Sequence, residues 1–387
     1  MQETAYSATV MATPGALEGI RVADFSRVLA GPLATMILAD LGADVIKIER
    51  PGTGDDTRGW GPPWSRAGES SYYLGTNRNK RSVVLDLKDP GDLAVARALA
   101  LRSDVVIENF RPGVMARAGL DHTSLAAERP ELVTCRIAGI GRGDTAGYDF
   151  LAQAMGGLMS ITGDPDGEPR KIGVALVDVM TGLHAAIGIL AALHHRDRTG
   201  EGQLVEVDLL STTLFALANQ ASSWLTAGVV AGRMGNRHPS IAPYETLRAA
   251  DGPFVIAVGN DDQFEMLCNV IGVPALTHDD RFITNAARVE NREPLVAALE
   301  AVLIREEAAT WIERLQAEGI PCGMVNQIDQ AFALAREVGL EPVASFPETG
   351  VDTVANPLHL SRTPVTYRRP PPGLGEHDDE IRSEAEA

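Results

Sequence analysis

A lone aspartate stands where an apolar run meets the start of a long apolar helix. The stretch Gly173-Val-Ala-Leu-Val-Asp178-Val-Met-Thr-Gly182 offers Asp178 two jobs. One is to cap the helix by accepting N–H hydrogen bonds at its start. The other is to act as a nucleophilic carboxylate, kept ionised by the helix dipole and the free N–H groups. The two jobs are compatible. A second group of residues recurs just after predicted strands. Arg50 follows DVIKIE, Lys88 follows SVVLDL, and Asn109, Phe110 and Arg111 follow VVIE, with Arg117 a short step on. Guanidinium and ammonium groups suit phosphates, and the Phe110 ring suits the face of a base. Taken singly, each is also an ordinary solvated surface residue. Their shared placement favours a site, because ligands of open α/β sheets bind beyond the carboxyl ends of the strands.

Such residues need a frame. Ile20–Phe25 reads as a buried strand, Gly31-Pro32 opens a helix to about Leu41, and Asp44–Glu49 is a second strand, which makes a βαβ unit. Strands at Ser82–Leu87, Val105–Glu108, Leu132–Ile137 and Leu204–Leu209 continue the pattern. Helices at Asp92–Leu101 and Gly182–His195, and another to about Thr226, alternate with them. This predicts an α/β fold: a doubly wound, Rossmann-like parallel sheet with helices on both faces. After Gly235 the texture changes. Tyr244–Arg248 and Phe254–Val258 flank Ala-Ala-Asp-Gly as a hairpin, followed by helical patterns at Gln263–Ile271, Pro294–Ile304 and Ala308–Glu318. The expected organisation is a loose lead-in over 1–15, with Met11 as a second candidate start, and a large α/β domain over 16–235. A smaller α+β domain over 236–326 and a return segment over 327–387 follow, the latter ending in a frayed charged tail from Glu376.

The chain of 387 residues carries a net charge of −18. An excess of that sign disfavours nucleic acid and anionic membrane surfaces as partners, while a local basic pocket still suits an anionic small ligand. Three scattered cysteines, Cys135, Cys268 and Cys322, form no CxxC pair. They point to a reducing, cytoplasmic setting and to no zinc or other metal site. No apolar run is expected to reach membrane-spanning length, and the first residues lack a secretory pattern. HExxH, GxSxG and P-loop patterns are absent. Cys268 and His184 read as core residues. The first βα unit, with Glu49 closing its second strand, invites a nicotinamide-dinucleotide reading. However, its turn, Ser26-Arg-Val-Leu-Ala-Gly31-Pro32, holds one glycine where that fingerprint needs three.

Read in order, LEGIRVADFSRVLAGP, LGADVIKIERPGTGD, NRNKRSVVLDLK, VVIENFRPG, GYDFLAQAMGGLMSITG, the Asp178 segment, RTGEGQ and PPPGLGEHDDEI resemble the class III CoA-transferases. This CaiB–BaiF family includes formyl-CoA transferase and the α-methylacyl-CoA racemases, and the resemblance covers nearly the whole chain. It implies that Asp178 is the aspartate that becomes acylated, and that Leu29 and Ala30 make first-turn backbone contacts to CoA. It implies that Arg50, Leu85, Lys88, Asn109, Phe110, Arg111 and Arg117 bind CoA, that Tyr148 sits next to the acyl group, and that Gly259 begins the counterpart of a loop covering intermediates in formyl-CoA transferase. CoA is then a substrate and not a resident cofactor, and no metal is needed. The implied chemistry runs through an aspartyl anhydride and an enzyme–CoA thioester, with N–H groups near the helix start as oxyanion donors. An interlocked homodimer is implied as well.

Two segments depart from the family pattern. Gly259-Asn-Asp-Asp-Gln263 lacks consecutive glycines, so a mobile lid is not carried over, and GIGRGDTAGYD is short, which puts CoA contacts from 141–147 in doubt. Racemases carry His-Asp where this chain has Tyr148-Asp149, and tyrosine is a poor base near neutral pH. Transfer is therefore favoured over racemisation. It is also favoured over a non-catalytic CoA-binding protein and, outside the family, over an NAD-type oxidoreductase. RVLAGPLATMILADLGADVIKIERPGTGDDTRGWGPP, NRNKRS and SIAPYETL are most similar to the dicarboxylate branch, which suggests succinyl-CoA or another dicarboxyl-CoA as donor. Asn236, Arg237, His238 and Ser240 either meet a distal carboxylate or form a domain linker.

Overall fold

Short apolar strands separated by helices assemble into a six-stranded sheet in the computed structural model, which describes residues 14–141, 145 and 147–387. The candidate start Met11, nearly all of the 1–15 lead-in and part of the Gly141–Gly147 loop lie outside the described residues. The strands are β1 (Arg21–Asp24), β2 (Asp44–Glu49), β3 (Lys80–Val84), β4 (Val105–Glu108), β5 (Val133–Ala138) and β6 (Leu204–Asp208), in the order β3-β2-β1-β4-β5-β6. All neighbours pair in parallel. The expected doubly wound sheet is found, with its switch point between β1 and β4, where a crevice opens beyond the strand ends.

The connecting helices are α1 (Ala30–Asp40), α2 (Ser71–Leu74), α3 (Pro90–Leu101), α4 (Val114–Ala118), α5 (His122–Ala126), α6 (Asp149–Met155), α7 (Leu176–Thr199), α8 (Leu209–Ala216) and α9 (Ala218–Ala227). Local chemistry sets several boundaries. Asp89 caps α3, accepting from the N–H groups of Gly91 and Asp92, with Pro90 in the first turn. Gly200, at φ 79°, ends α7, and its N–H closes on Arg196 O at 2.7 Å. The helix α7 begins six residues earlier than its apolar pattern suggests, because its start is capped from α6, as described below. By length and composition α7 would also span a membrane, contrary to the expectation that no apolar run reaches that length. In the fold it is a core helix: Val177, Ala185, Ile189 and Leu193 are buried, and it packs on α1, β5 and β6.

The chain forms two compact units. The larger comprises the described residues through Leu158, Ile172–Ser222 and Leu340–Ala387; the smaller comprises Met159–Lys171 and Ser223–Gly339. In the smaller unit β7 (Tyr244–Arg248), β8 (Pro253–Ala257) and β9 (Cys322–Met324) form an antiparallel sheet. Around it lie α10 (Asp261–Val270), α11 (Asn285–Glu290), α12 (Arg292–Leu303) and α13 (Ala308–Ala317). Phe254, Leu267, Cys268, Leu299 and Trp311 meet in their core. This unit is wider than 236–326, and the return to the larger one begins at Leu340. The difference arises because α14 (Ile328–Glu337), expected in the return segment, clusters with the small unit.

After a hairpin of β10 (Val343–Phe346) and β11 (Val351–Val354), the chain ends in α15 (Asp378–Glu386). The tail is therefore not frayed. Ile381 and Ala385, one turn apart, enter the core beside Leu99 and Val83. The acidic side chains that read as a solvated run are paired: Arg81 bonds Glu380 at 2.8 Å and Glu384 at 2.7 Å, and Arg21 bonds Glu384 at 2.9 Å. Truncating the fully buried Ile381 to alanine should lower the denaturant midpoint by an amount worth about 2–5 kcal/mol. An unchanged urea unfolding curve would mean the helix is not docked.

Candidate active site

The cleft is built on a cluster of buried charge. Asp24, at the end of β1, accepts hydrogen bonds from Ser26 N (2.9 Å), Ser26 Oγ (2.5 Å), Thr35 Oγ1 (2.6 Å) and Lys80 Nζ (3.2 Å). Lys47 donates to Asp55 Oδ2 at 2.8 Å and to Ser26 O at 3.1 Å. Burial alone would raise the Asp55 carboxyl, but the Lys47 charge and the Thr57 donors outweigh it and bring it to about 2. Asp55 in turn accepts from Val28 N at 3.2 Å. This holds Val28 at φ 72°, a left-handed conformation that a β-branched residue adopts only under constraint. Glu49, the acid that a dinucleotide reading would place on a ribose, is fully engaged: it accepts from Arg58 (2.6 and 2.8 Å), Ser82 Oγ (2.7 Å) and Asp55 N (2.9 Å).

Asp178 is the third residue of α7 and does not cap it. Ala175 holds the cap position without a side-chain hydrogen bond. The N–H groups at the helix start are taken from outside: Asp149 Oδ1 accepts from Val177 N at 2.8 Å and from Asp178 N at 3.2 Å. Asp149 Oδ2 accepts from Gln153 Nε2 at 2.6 Å, and Gln153 Oε1 accepts from Ile172 N at 2.9 Å. The Asp178 carboxyl is therefore free of capping duty, half-buried, and on the wall of a cavity of about 440 Å³. The same arrangement removes two N–H groups from the expected set of oxyanion donors. It also reverses the expected effect of the helix start on ionisation. Burial, and secondarily the Asp149 charge, push the Asp178 carboxyl up to about 7. One turn further on, a Cβ on Gly182 would lie 2.6 Å from Ala30 O, so α7 and the start of α1 touch through bare backbone.

The structure brings most of the sequence-predicted residues to this crevice. Leu29, Ala30, Asn109, Phe110, Arg111 and Tyr148 line the cavity that holds Asp178. Arg50, Leu85, Lys88, Phe110 and Arg117 line a second cavity of about 340 Å³. Arg27 and Phe110 belong to both, with the guanidinium 5.1 Å from the ring centroid. Lys88, Arg111 and Arg117 are exposed on the rim, and among the described residues no carboxylate pairs with them. Arg50 is held by Asp56 and by Thr53 Oγ1 at 2.7 Å. The Asn109 carboxamide is engaged at both ends by the main chain of Arg27 (2.9 and 2.7 Å), tying the loop after β1 to the loop after β4. Gly259 lies in the smaller unit, where its N–H donates to Gln263 Oε1 at 2.7 Å and Asn260 caps α10. Arg237 there is paired with Glu293 at 2.9 Å and Glu245 at 3.5 Å.

Sequence reasoning missed four contributors. Arg27 and Arg136 line the Asp178 cavity. Tyr72, stacked edge-on against Trp60 with centroids 5.3 Å apart, has its hydroxyl raised to about 12 by burial and by the charges of Asp178 and Asp149. Gln153, fully buried, braces Asp149. A polar residue four positions from Asp149 on one helix was the available signal for that brace.

A family model, CoA-transferase family III, matches residues 17–378. The chain belongs to this family. As a class III CoA-transferase it is an enzyme that transfers CoA, which sets aside the oxidoreductase reading in line with the occupied Glu49. Over 383 residues it is 44% identical to a succinate–glutarate CoA-transferase of Agrobacterium fabrum, covering 96% of each chain. It is 41% identical to succinyl-CoA:glutarate CoA-transferase of Mus musculus, covering 95% of this chain and 86% of that one. A crystal structure of a CaiB/BaiF family protein from Brucella suis superposes with a TM-score of 0.86 at 41% identity, covering 96% of this chain and 100% of that one.

Two outcomes follow from this geometry. The folded state holds the Asp178 proton more tightly than the unfolded chain, so the buried carboxylate destabilises the fold increasingly from about pH 4 to above pH 7. Asp178→Asn should therefore raise the denaturation midpoint at pH 8, with the gain vanishing below pH 4. Gly182→Ala should destabilise by about 1–3 kcal/mol and weaken CoA binding in calorimetry, because the added methyl meets backbone and cannot move aside.

Proposed function

We propose that this CoA-transferase moves CoA between dicarboxylic acids, with succinyl-CoA as donor and glutarate or a related diacid as acceptor, and with Asp178 as the covalent nucleophile. The observation that carries the reading is the Asp178 carboxyl itself, uncapped at the start of α7 and open to a cavity at the strand ends. The names of the relatives from Agrobacterium fabrum and Mus musculus support the diacid pair. Asp178 attacks the donor thioester and forms a mixed anhydride, expelling CoA thiolate. The thiolate then attacks the aspartyl carbonyl, giving an enzyme–CoA thioester and releasing the donor acid. An acceptor carboxylate reverses the two steps. The CoA phosphates lie against Arg50, Lys88, Arg111 and Arg117, its base against the Phe110 ring, and its thioester arm over Leu29 and Ala30 toward Tyr148.

The active form is a homodimer. Helices α9 and α14 contain no buried residue, and Phe215, Leu225, Val230 and Ile328 are each more than 70% exposed (75, 73, 81 and 80%), apolar surface that suits a second copy. A stable monomer in sedimentation would overturn this part.

Incubation with succinyl-CoA and a panel of free acids, read by mass spectrometry, should yield glutaryl-CoA or a related diacid thioester. The Asp178→Ala variant should lose the exchange by at least about a thousandfold while still binding CoA. Exchange that survives in that variant, or transfer to monocarboxylates alone, would reject the proposal.

A further inference from the structure

We infer that Asp149 is a positioning residue whose carboxylate, clamped on the start of α7, orients Asp178 and biases it toward its covalent, uncharged forms. The inference rests on the reading of Asp178 as the nucleophile. Asp149 is only 9% exposed, and each of its hydrogen-bonded neighbours donates to it: Val177 N, Asp178 N and Gln153 Nε2. Such a set of donors suits a carboxylate, which can only accept. Gln153, with no exposure, is itself fastened to Ile172 N, so the clamp is held from behind. The contact fixes the first turn of α7, and with it the direction in which Asp178 leaves the helix.

The second consequence is electrostatic. A carboxylate bonded to the Asp178 backbone N–H at 3.2 Å presents a like charge to the Asp178 side chain in a partly dehydrated site. Free Asp178 must bear that repulsion. When one of its oxygens bonds to the acyl carbon of the donor, the C–S bond breaks and the electron pair departs with CoA thiolate, so the anhydride leaves Asp178 neutral. When the thiolate attacks the aspartyl carbonyl, the bond from that carbonyl to the acyloxy oxygen breaks and the charge departs with the donor acid, so the thioester is neutral too. Both covalent forms relieve the repulsion, and only release of free Asp178 restores it. The Asp149 carboxylate therefore disfavours the resting enzyme relative to its covalent states. Together with burial, which is the larger cause, it keeps the nucleophile more basic than an ordinary carboxylate, in keeping with the raised titration of Asp178.

Other charged or titratable groups face the same space. Arg27, Asp56, Arg111, Arg136 and Tyr148 line the cavity, and Tyr72 senses both aspartates. Among them Asp149 is the neighbour whose charge bears on Asp178.

Asp149→Asn keeps an oxygen for the N–H groups of α7 and removes the charge; Asp149→Ala removes both. In wild type, kcat/KM for acyl exchange should rise through about pH 7. In Asp149→Asn the midpoint should fall by at least about one pH unit. The fraction of enzyme carrying CoA as a thioester, at fixed succinyl-CoA and succinate in intact-mass spectrometry, should drop roughly tenfold, since one pH unit is a factor of ten in the same equilibrium. A folded Asp149→Asn protein with wild-type midpoint and wild-type thioester fraction would overturn the inference. If neither variant folds, an infrared difference spectrum of wild type against Asp178→Asn is the check: the inference requires a carboxyl band titrating near pH 7, and one titrating near pH 4 rejects it. The nucleophile reading fails separately, by exchange and a CoA adduct that persist in Asp178→Ala.

Discussion

Four charges with almost no contact with solvent hold the cleft together. Asp24, Lys47, Asp55 and Lys80 are each at most 1% exposed, and they neutralise one another beneath the first βα loop. A buried ion cluster of this kind contributes little net stability, because desolvation offsets most of the attraction. Its effect is on specificity. Each member has a defined set of hydrogen bonds, and loss of one partner would strand a charge in the interior. The loop above the cluster is consequently pinned, including the left-handed Val28. From that loop the constraint spreads: the Arg27 main chain grips Asn109 and so places the loop after β4, while Ala30 O sits against Gly182 and so places α7. Asp178, one turn before Gly182, inherits its position from charges on the other side of α1.

Reactivity and stability pull against each other at α7. An aspartate in the first turn of a helix is ordinarily favoured by the dipole and by free N–H groups. Here Asp149 has taken those groups, and burial and like charge act on Asp178 instead. A side chain arranged for stability alone would have capped the helix. The arrangement found leaves a carboxyl that is less stable as an anion and more basic than an ordinary aspartate, a local concession that functional sites commonly make.

The charge distribution separates long-range from short-range recognition. A net charge of −18 repels polyanions at a distance, yet Lys88, Arg111 and Arg117, without a carboxylate partner among the described residues, line the crevice. Screening in salt confines such opposing fields to about 8 Å. A small anionic thioester close to the rim is thus governed by the local cations and not by the whole surface.

Strand periodicity and the hairpin turn are local, and the sequence by itself determined them: the six parallel strands, the helices α1, α3, α7, α10, α12 and α13, and the placement of Arg50, Lys88, Asn109 and Arg117 after strands were legible from it. The family resemblance singled out Asp178 as a candidate nucleophile. What depended on residues distant in sequence was not legible. The charged run at the carboxyl terminus reads as solvated until Arg81 and Arg21 are seen beside it. The tie that Asn109 makes between two loops is invisible until both ends of its carboxamide are found on Arg27. Asp178 reads as a cap, because nothing in the local sequence says that Asp149, 29 positions away, already fills that role. Periodicity depends on neighbours within a few residues, so a sequence carries it openly. The state of a buried charge depends on which distant partners the fold brings to it, and only the tertiary structure decided that.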